Sequence, residues 1–125
     1  MKRTTLGRAE SETGGVTVTA CLALIGLLAV TVLIAQIGVA VTARHQVQAA
    51  ADLSALAAAG ALDGGTPAAC GRAAKVAGRM SARIAGCAVL GWDVTVTVAG
   101  RVSLGPLGER EVRAAARAGP SEEPR

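Results

Sequence analysis

Val16–Val41 reads VTVTACLALIGLLAVTVLIAQIGVAV, 26 residues without a charge, and how this stretch is read decides the architecture of the chain. The uncharged run extends further on both sides, from Thr13 to Ala43, 31 residues in all. At the α-helical rise, Val16–Val41 covers about 39 Å, enough to cross roughly 30 Å of hydrocarbon with some tilt. A buried helix of a soluble protein is seldom so long and so apolar on every side. The stretch is therefore read as a transmembrane helix. Thr17, Thr19 and Thr31 carry hydroxyls that can bond back to their own helix, whereas the Gln36 amide is better satisfied by a neighbouring helix.

Two processing signals compete with that reading. Val41-Thr42-Ala43 offers small residues where a signal peptidase could cut, but signal cores run to about 7–15 residues, well short of this segment. Val18-Thr19-Ala20-Cys21 has the letters of a lipobox, yet Cys21 lies at the beginning of the apolar run; it reads as a small membrane-embedded hydrophobe. Orientation follows from the flanking cations. Lys2, Arg3 and Arg8 precede the span and only Arg44 follows closely, which places the N-terminus inside and the C-terminal part outside the cytoplasmic membrane. Cys70 and Cys87 then face a compartment that permits disulfides.

Working outward, Arg44–Leu62 (RHQVQAAADLSALAAAGAL) contains no proline and is rich in alanine and leucine, so one continuous helix is expected from about Val16 to Leu62. Val47, Ala50, Ser54 and Ala57, with Leu53 and Ala61 alongside, form a smooth stripe at helical spacing against which another backbone can pack closely. Asp63-Gly64-Gly65 is expected to end this helix, and Thr66-Pro67 to begin a second one with a threonine N-cap. Ala73, Val76, Ala77 and Met80 form its apolar side, next to a basic face of Arg72, Lys75 and Arg79.

Periodicity alone carries that second helix on to Ile84. In one helix, however, Cys70 and Cys87 lie more than about 20 Å apart, and a disulfide needs Cα atoms within about 7 Å. A helix that stops near Met80-Ser81, followed by a strand running back, brings the two together. The alternative keeps both thiols reduced, or bridges separate chains, with the helix running to Ile84. Asp93–Ala99 (DVTVTVA) alternates with Val94, Val96 and Val98 on one face, a strand pattern preceded by a turn at Leu90-Gly91-Trp92. Glu109–Arg117 (EREVRAAAR) fits helix or strand by composition; strand is preferred because Val94–Val98 needs a partner and Gly105-Pro106-Leu107-Gly108 supplies a loop.

The quoted motifs resemble a known family. Gly15-Val16-Thr17-Val18 opening the apolar run, followed by Arg44-His45-Gln46-Val47-Gln48-Ala49-Ala50-Ala51-Asp52-Leu53-Ser54-Ala55-Leu56-Ala57, is similar to TadE/TadG-like proteins of the tight-adherence (Flp pilus) system. Ala69-Cys70, Gly86-Cys87 and Gly91-Trp92-Asp93-Val94 resemble its short actinobacterial branch, found near helicase and secretion genes. The resemblance covers roughly residues 14–118, with Arg44, Gln48 and Asp52 in its motif. It implies a pilin-like protein with a long N-terminal helix and a small sheet-bearing head, acting in pilus or secretion-machine assembly. One position departs from the pattern. Such precursors carry a glutamate five residues after the processed glycine, and counted from Gly15 that position is Ala20. Glu12 lies five residues after Gly7, but Thr13-Gly14-Gly15 separates it from the apolar run, so membrane retention is the reading adopted.

The expected architecture is α+β. Residues 1–15 form a cytoplasmic segment, 16–41 the transmembrane helix, 42–118 a small extracytoplasmic head with a second short helix and an antiparallel sheet, and 119–125 a disordered tail. Phe and Tyr are absent and Trp92 is the sole aromatic, so the core is built from small aliphatics and needs a covalent staple or neighbouring subunits. With one histidine, no clustered carboxylates, no phosphate loop and no nucleophile motif, no catalytic or cofactor-binding residue is assigned. His45, Cys70 and Cys87 lack the spacing of a zinc site. The formal charge of +4 comes without the interleaved aromatics of single-stranded nucleic-acid binders. His45 and Asp52 read as solvated positions, with Asp52 in reach of Gln48, and the basic face as wet surface. The expected partners are membrane lipid and other pilin-like or secretion proteins, with no nucleic acid and no small-molecule substrate. A signal-anchored accessory subunit of an unrelated envelope complex is the alternative function.

Overall fold

The computed structural model describes residues 2–120, with side chains from Gly14 onward. Helix α1 (Lys2–Ala59) is followed by a 3-10 turn (Leu62–Gly64), α2 (Thr66–Arg79), β1 (Arg83–Leu90), β2 (Asp93–Ser103), a second 3-10 turn (Gly105–Leu107) and β3 (Glu109–Ala118). The architecture is α+β, with a three-stranded antiparallel sheet in the order β1-β2-β3. Contacts divide the chain into two units, Met1–Gly38 and Val39–Arg125, and the second is the head. Ser121–Arg125, most of the tail expected to be disordered, lies outside the described residues.

Helix α1 differs from the expected Val16–Leu62 at both ends. It begins at Lys2, since no proline interrupts the preceding residues, and it stops three residues earlier, before Gly60. The Gly60 N–H still bonds the Leu56 carbonyl at 3.0 Å, but the next bond, Ala61 to Ala58, has already tightened to the 3-10 pattern. Gly65, at φ 92°, makes the left-handed step and is itself the N-cap of α2, in the place expected of Thr66; no side chain caps the helix. Proline does occupy the first turn, where its missing N–H costs nothing.

The end of α2 falls where the cysteine argument put it. Ser81 adopts φ 58°, and Ala82 N–H bonds back to the Ala77 carbonyl at 2.9 Å, closing the helix so that β1 can start at Arg83. Gly91, at φ 62°, opens the two-residue loop between Leu90 and Asp93, as a type II′ hairpin requires. Glu109–Ala118 is a strand along its whole length, in continuous register with Val94–Ser103.

The core lies on one face of the sheet. Val94, Val96 and Val98 are wholly buried and are flanked by Val89, Cys87 and Ile84 on β1 and by Ala118, Ala116 and Ala114 on β3. A register shift between Ile84 and Gly86 lets Ile84 and Cys87 both join this face, although strict alternation would separate them. Against it pack Val47, Ala50, Ala51, Ser54, Ala55 and Ala58 of α1 and Ala69, Ala73 and Ala77 of α2.

Candidate membrane anchor and packing surface

Among the described residues, one helix is long and apolar enough to cross a membrane. It runs over Gly14–Ala59, and its most apolar window has a mean hydropathy of 2.7 with none of its residues buried. Thr19 donates to the Gly15 carbonyl and Thr31 to that of Leu27, both at 2.8 Å, so these hydroxyls are satisfied within the helix. Gln36 makes no such bond among the described residues.

The residues expected to form a packing interface separate into two groups. Val47, Ala50 and Ser54 are buried beneath the chain's own sheet and so are not offered to another helix; this corrects the expectation for those three positions. The backbone that approaches the small-residue stripe is Gly100 of β2, where a Cβ would come within 2.7 Å of the Val47 Cγ2 atom. Ala57 is half-buried, and Leu53 lies outside the core with about half of its surface free. Beside it Leu56 is also exposed, so the outer side of α1 keeps an apolar ridge. The buried set is Ala43, Val47, Ala50, Ala51, Ser54, Ala55 and Ala58, and the sequence reading missed Ala43, Ala51, Ala55 and Ala58. Ala43 and Ala51 lie four residues to either side of Val47, and Ala55 and Ala58 eight and eleven after it, so helical spacing from Val47 was the available signal.

Arg44, Gln48 and Asp52 share the exposed side of the helix. The Gln48 amide donates to Asp52 Oδ1 at 3.1 Å and reaches the Ala115 carbonyl of β3 at 3.4 Å, so Gln48 links the helix to an edge strand. Cys70 and Cys87 form a disulfide with Cα atoms 6.0 Å apart, joining α2 to β1. On the solvent face of the sheet, Glu111 is held by Arg83 and Arg113, each at 2.7 Å. The hydrogen bond from Arg113, and after it that from Arg83, lowers the Glu111 carboxyl below the usual carboxylate range. Arg117 pairs with Asp93 in the same layer. Arg72, Lys75 and Arg79 rim an open groove of about 790 Å³ beside Ala57 and Gly60, with no ion pair to them among the described residues. No three His, Cys, Asp or Glu side chains among the described residues gather closely enough to hold a metal ion.

Residues 14–61 match the Flp pilus-assembly TadE/G-like family, so the matched segment contains both the apolar span and the part of α1 that underlies the sheet. A Mycobacterium tuberculosis protein named as an apoptosis inhibitor is 54% identical over 52 residues, which are 42% of this chain and 62% of that protein. The match thus spans less than two thirds of the relative. No solved structure matches the chain.

Proposed function

We propose that this chain is a membrane-anchored, TadE/G-like component of pilus or secretion-machinery assembly, acting without catalysis through helix packing and protein–protein contacts. The observation that carries this reading is the division of labour along one helix. Within the TadE/G-like segment, the apolar window leaves all its side chains free for lipid or a neighbouring helix, while Val47–Ala58 is committed to the head. An unpartnered glutamine in such a span favours an interhelical hydrogen bond, and Leu53 and Leu56 extend an unburied apolar side along the head. In this reading Leu53 and Ala57 remain interface residues, and the partners are other pilin-like or secretion proteins.

The N-terminus lies inside the cytoplasmic membrane and the head outside, on the strength of Lys2, Arg3 and Arg8 before the span against Arg44 after it. Reporter fusions after Arg125 are expected to be active only outside the cytoplasm; activity inside intact cells overturns the orientation. Recovery of the chain in high-order assemblies, weakened by Gln36→Leu or Leu53→Glu with insertion unchanged, tests the assembly role. A chain that stays monomeric in its membrane, uncut near Gly14-Gly15 and indifferent to both substitutions, is an accessory subunit instead.

A further inference from the structure

We propose that the tip of the β2–β3 hairpin, Leu104–Gly108, seats the head on the lipid surface, with Leu107 in the headgroup layer and Arg101 and Arg110 beside anionic phosphates. The inference rests on the anchored reading and adds a second membrane contact to it.

Three contacts within the head align α1 with the sheet. Val47 lies beneath Gly100, Gln48 reaches Ala115, and Ala59 and Leu62 share a hollow with Trp92, Gly119 and Pro120. As α1 runs forward from Val47, β2 therefore runs backward from Gly100, and the sheet end carrying Trp92 lies by the C-terminal end of α1. The hairpin continues past Gly100 in the other direction, toward the start of the head. From Gly100 to Ser103 a strand advances about 10 Å. An equal length of helix is about six or seven residues, which counts back from Val47 to the neighbourhood of Val41. There the uncharged run ends and Arg44 follows. Burial agrees with this count, because Ala43, a full turn before Val47, keeps only 9% of its surface. The hairpin tip thus stands level with Val41–Arg44 of α1, within the head's own unit.

The chemistry of the tip suits that level. Leu107 is 67% exposed at the end of a turn shaped by Gly105 (φ 62°) and Gly108 (φ 84°), and Pro106 lies between them. Arg101 and Arg110 flank it on the two strands. Arg101 meets Glu109 only at 3.8 Å with both side chains in water, and Arg110 has no ion pair among the described residues. By contrast Arg83, Arg113 and Arg117 are closely paired. An apolar tip with loosely held cations beside it is the composition of an interfacial lipid contact.

The test uses the full chain with Cys21→Ser, carrying Leu107→Cys or Leu90→Cys labelled with a polarity-sensitive dye, in phosphatidylcholine–phosphatidylglycerol nanodiscs. Leu90 is exposed at the opposite end of the sheet and serves as the aqueous reference. The label at position 107 is expected to be several-fold less accessible to an aqueous quencher than that at 90, and to be quenched by lipids labelled near the headgroup. Equal accessibility at the two positions overturns the proposal. Adding Arg101→Glu and Arg110→Glu should reduce the shielding; unchanged shielding removes the arginines from the contact. A tip shielded in native membranes but open in nanodiscs points to a protein partner and overturns the lipid assignment. Failure of anchoring itself reads out separately, as protein eluting without lipid, and overturns both readings.

Discussion

Replacing Ser54 by alanine is expected to stabilise the head. The Ser54 side chain has no solvent exposure, and among the described residues its hydroxyl finds no hydrogen-bond partner in a layer otherwise made of alanine and valine. Leaving such a group buried and unpaired costs roughly 1–3 kcal/mol, and alanine is also the better helix former by a few tenths. Against this, the missing oxygen leaves a void too small for water and forfeits a few dispersion contacts. The net gain is about 1–2 kcal/mol, a factor of about 5–30 in the folded-to-unfolded ratio. Amide hydrogen exchange of Val96 and Val98 measures it directly in detergent or nanodiscs, because central strand amides exchange through global opening of the head. Protection should rise by that factor, with the span unaffected. Ala55→Ser, at an equally buried neighbour, is the converse experiment and should lower protection by a similar factor. If Ser54→Ala leaves exchange unchanged or faster, the hydroxyl is bonded after all and the reasoning fails.

Three further outcomes follow from the same core. Replacing Cys70 and Cys87 together by serine should destabilise the head by about 3 kcal/mol in the chain-entropy model, with β1 amides losing protection first; unchanged exchange would show the staple to be dispensable. Ala50→Leu forces three extra carbons into the layer between α1 and the sheet and should cost about 1–3 kcal/mol of head stability without affecting membrane insertion; a neutral effect would mean that the layer is looser than its burial indicates. Glu111, with its folded carboxyl lowered by Arg113 and Arg83, contributes stability above its unfolded pKa and loses it as pH falls through the folded value. Side-chain NMR should therefore find its midpoint below the ordinary 4.5, and a midpoint at or above that value refutes the paired geometry.

What could be read from the sequence depended on how strongly each residue type marks its environment. A long uncharged apolar run marks a candidate membrane span by composition alone, and the valines at 94, 96 and 98 announce both a strand and its buried face. The cysteine pair carried information that periodicity lacked, since only an early end to α2 brings positions 70 and 87 together. Ala85 hid its part in the fold. From Ile84 a strict alternation turns Cys87 to solvent, and the register shift before Gly86 returns it to the core, which no residue in RIAGCAVL signals. The core face of α1 was blurred for a related reason. When nearly every candidate is alanine, a rotation of the stripe by one residue leaves its hydrophobicity unchanged, so Ala57 was chosen where Ala58 is buried.

That same monotony explains how the head is built. An alanine face presents little apolar area per residue, and burial at about 25 cal/mol per Å² yields less here than in a core of leucine and phenylalanine. Small side chains compensate by letting the layers close up, as where Val47 meets the bare backbone of Gly100. Close approach gains dispersion but adds little hydrophobic area, so a thin core of this kind leans on restricting the unfolded chain. The disulfide does this between the short α2 and edge strand β1. The other edge strand, β3, has no covalent tie; it is held by its ladder to β2 and by the Gln48 amide at Ala115. Gln48 thus acts on the side of the sheet that the staple does not reach.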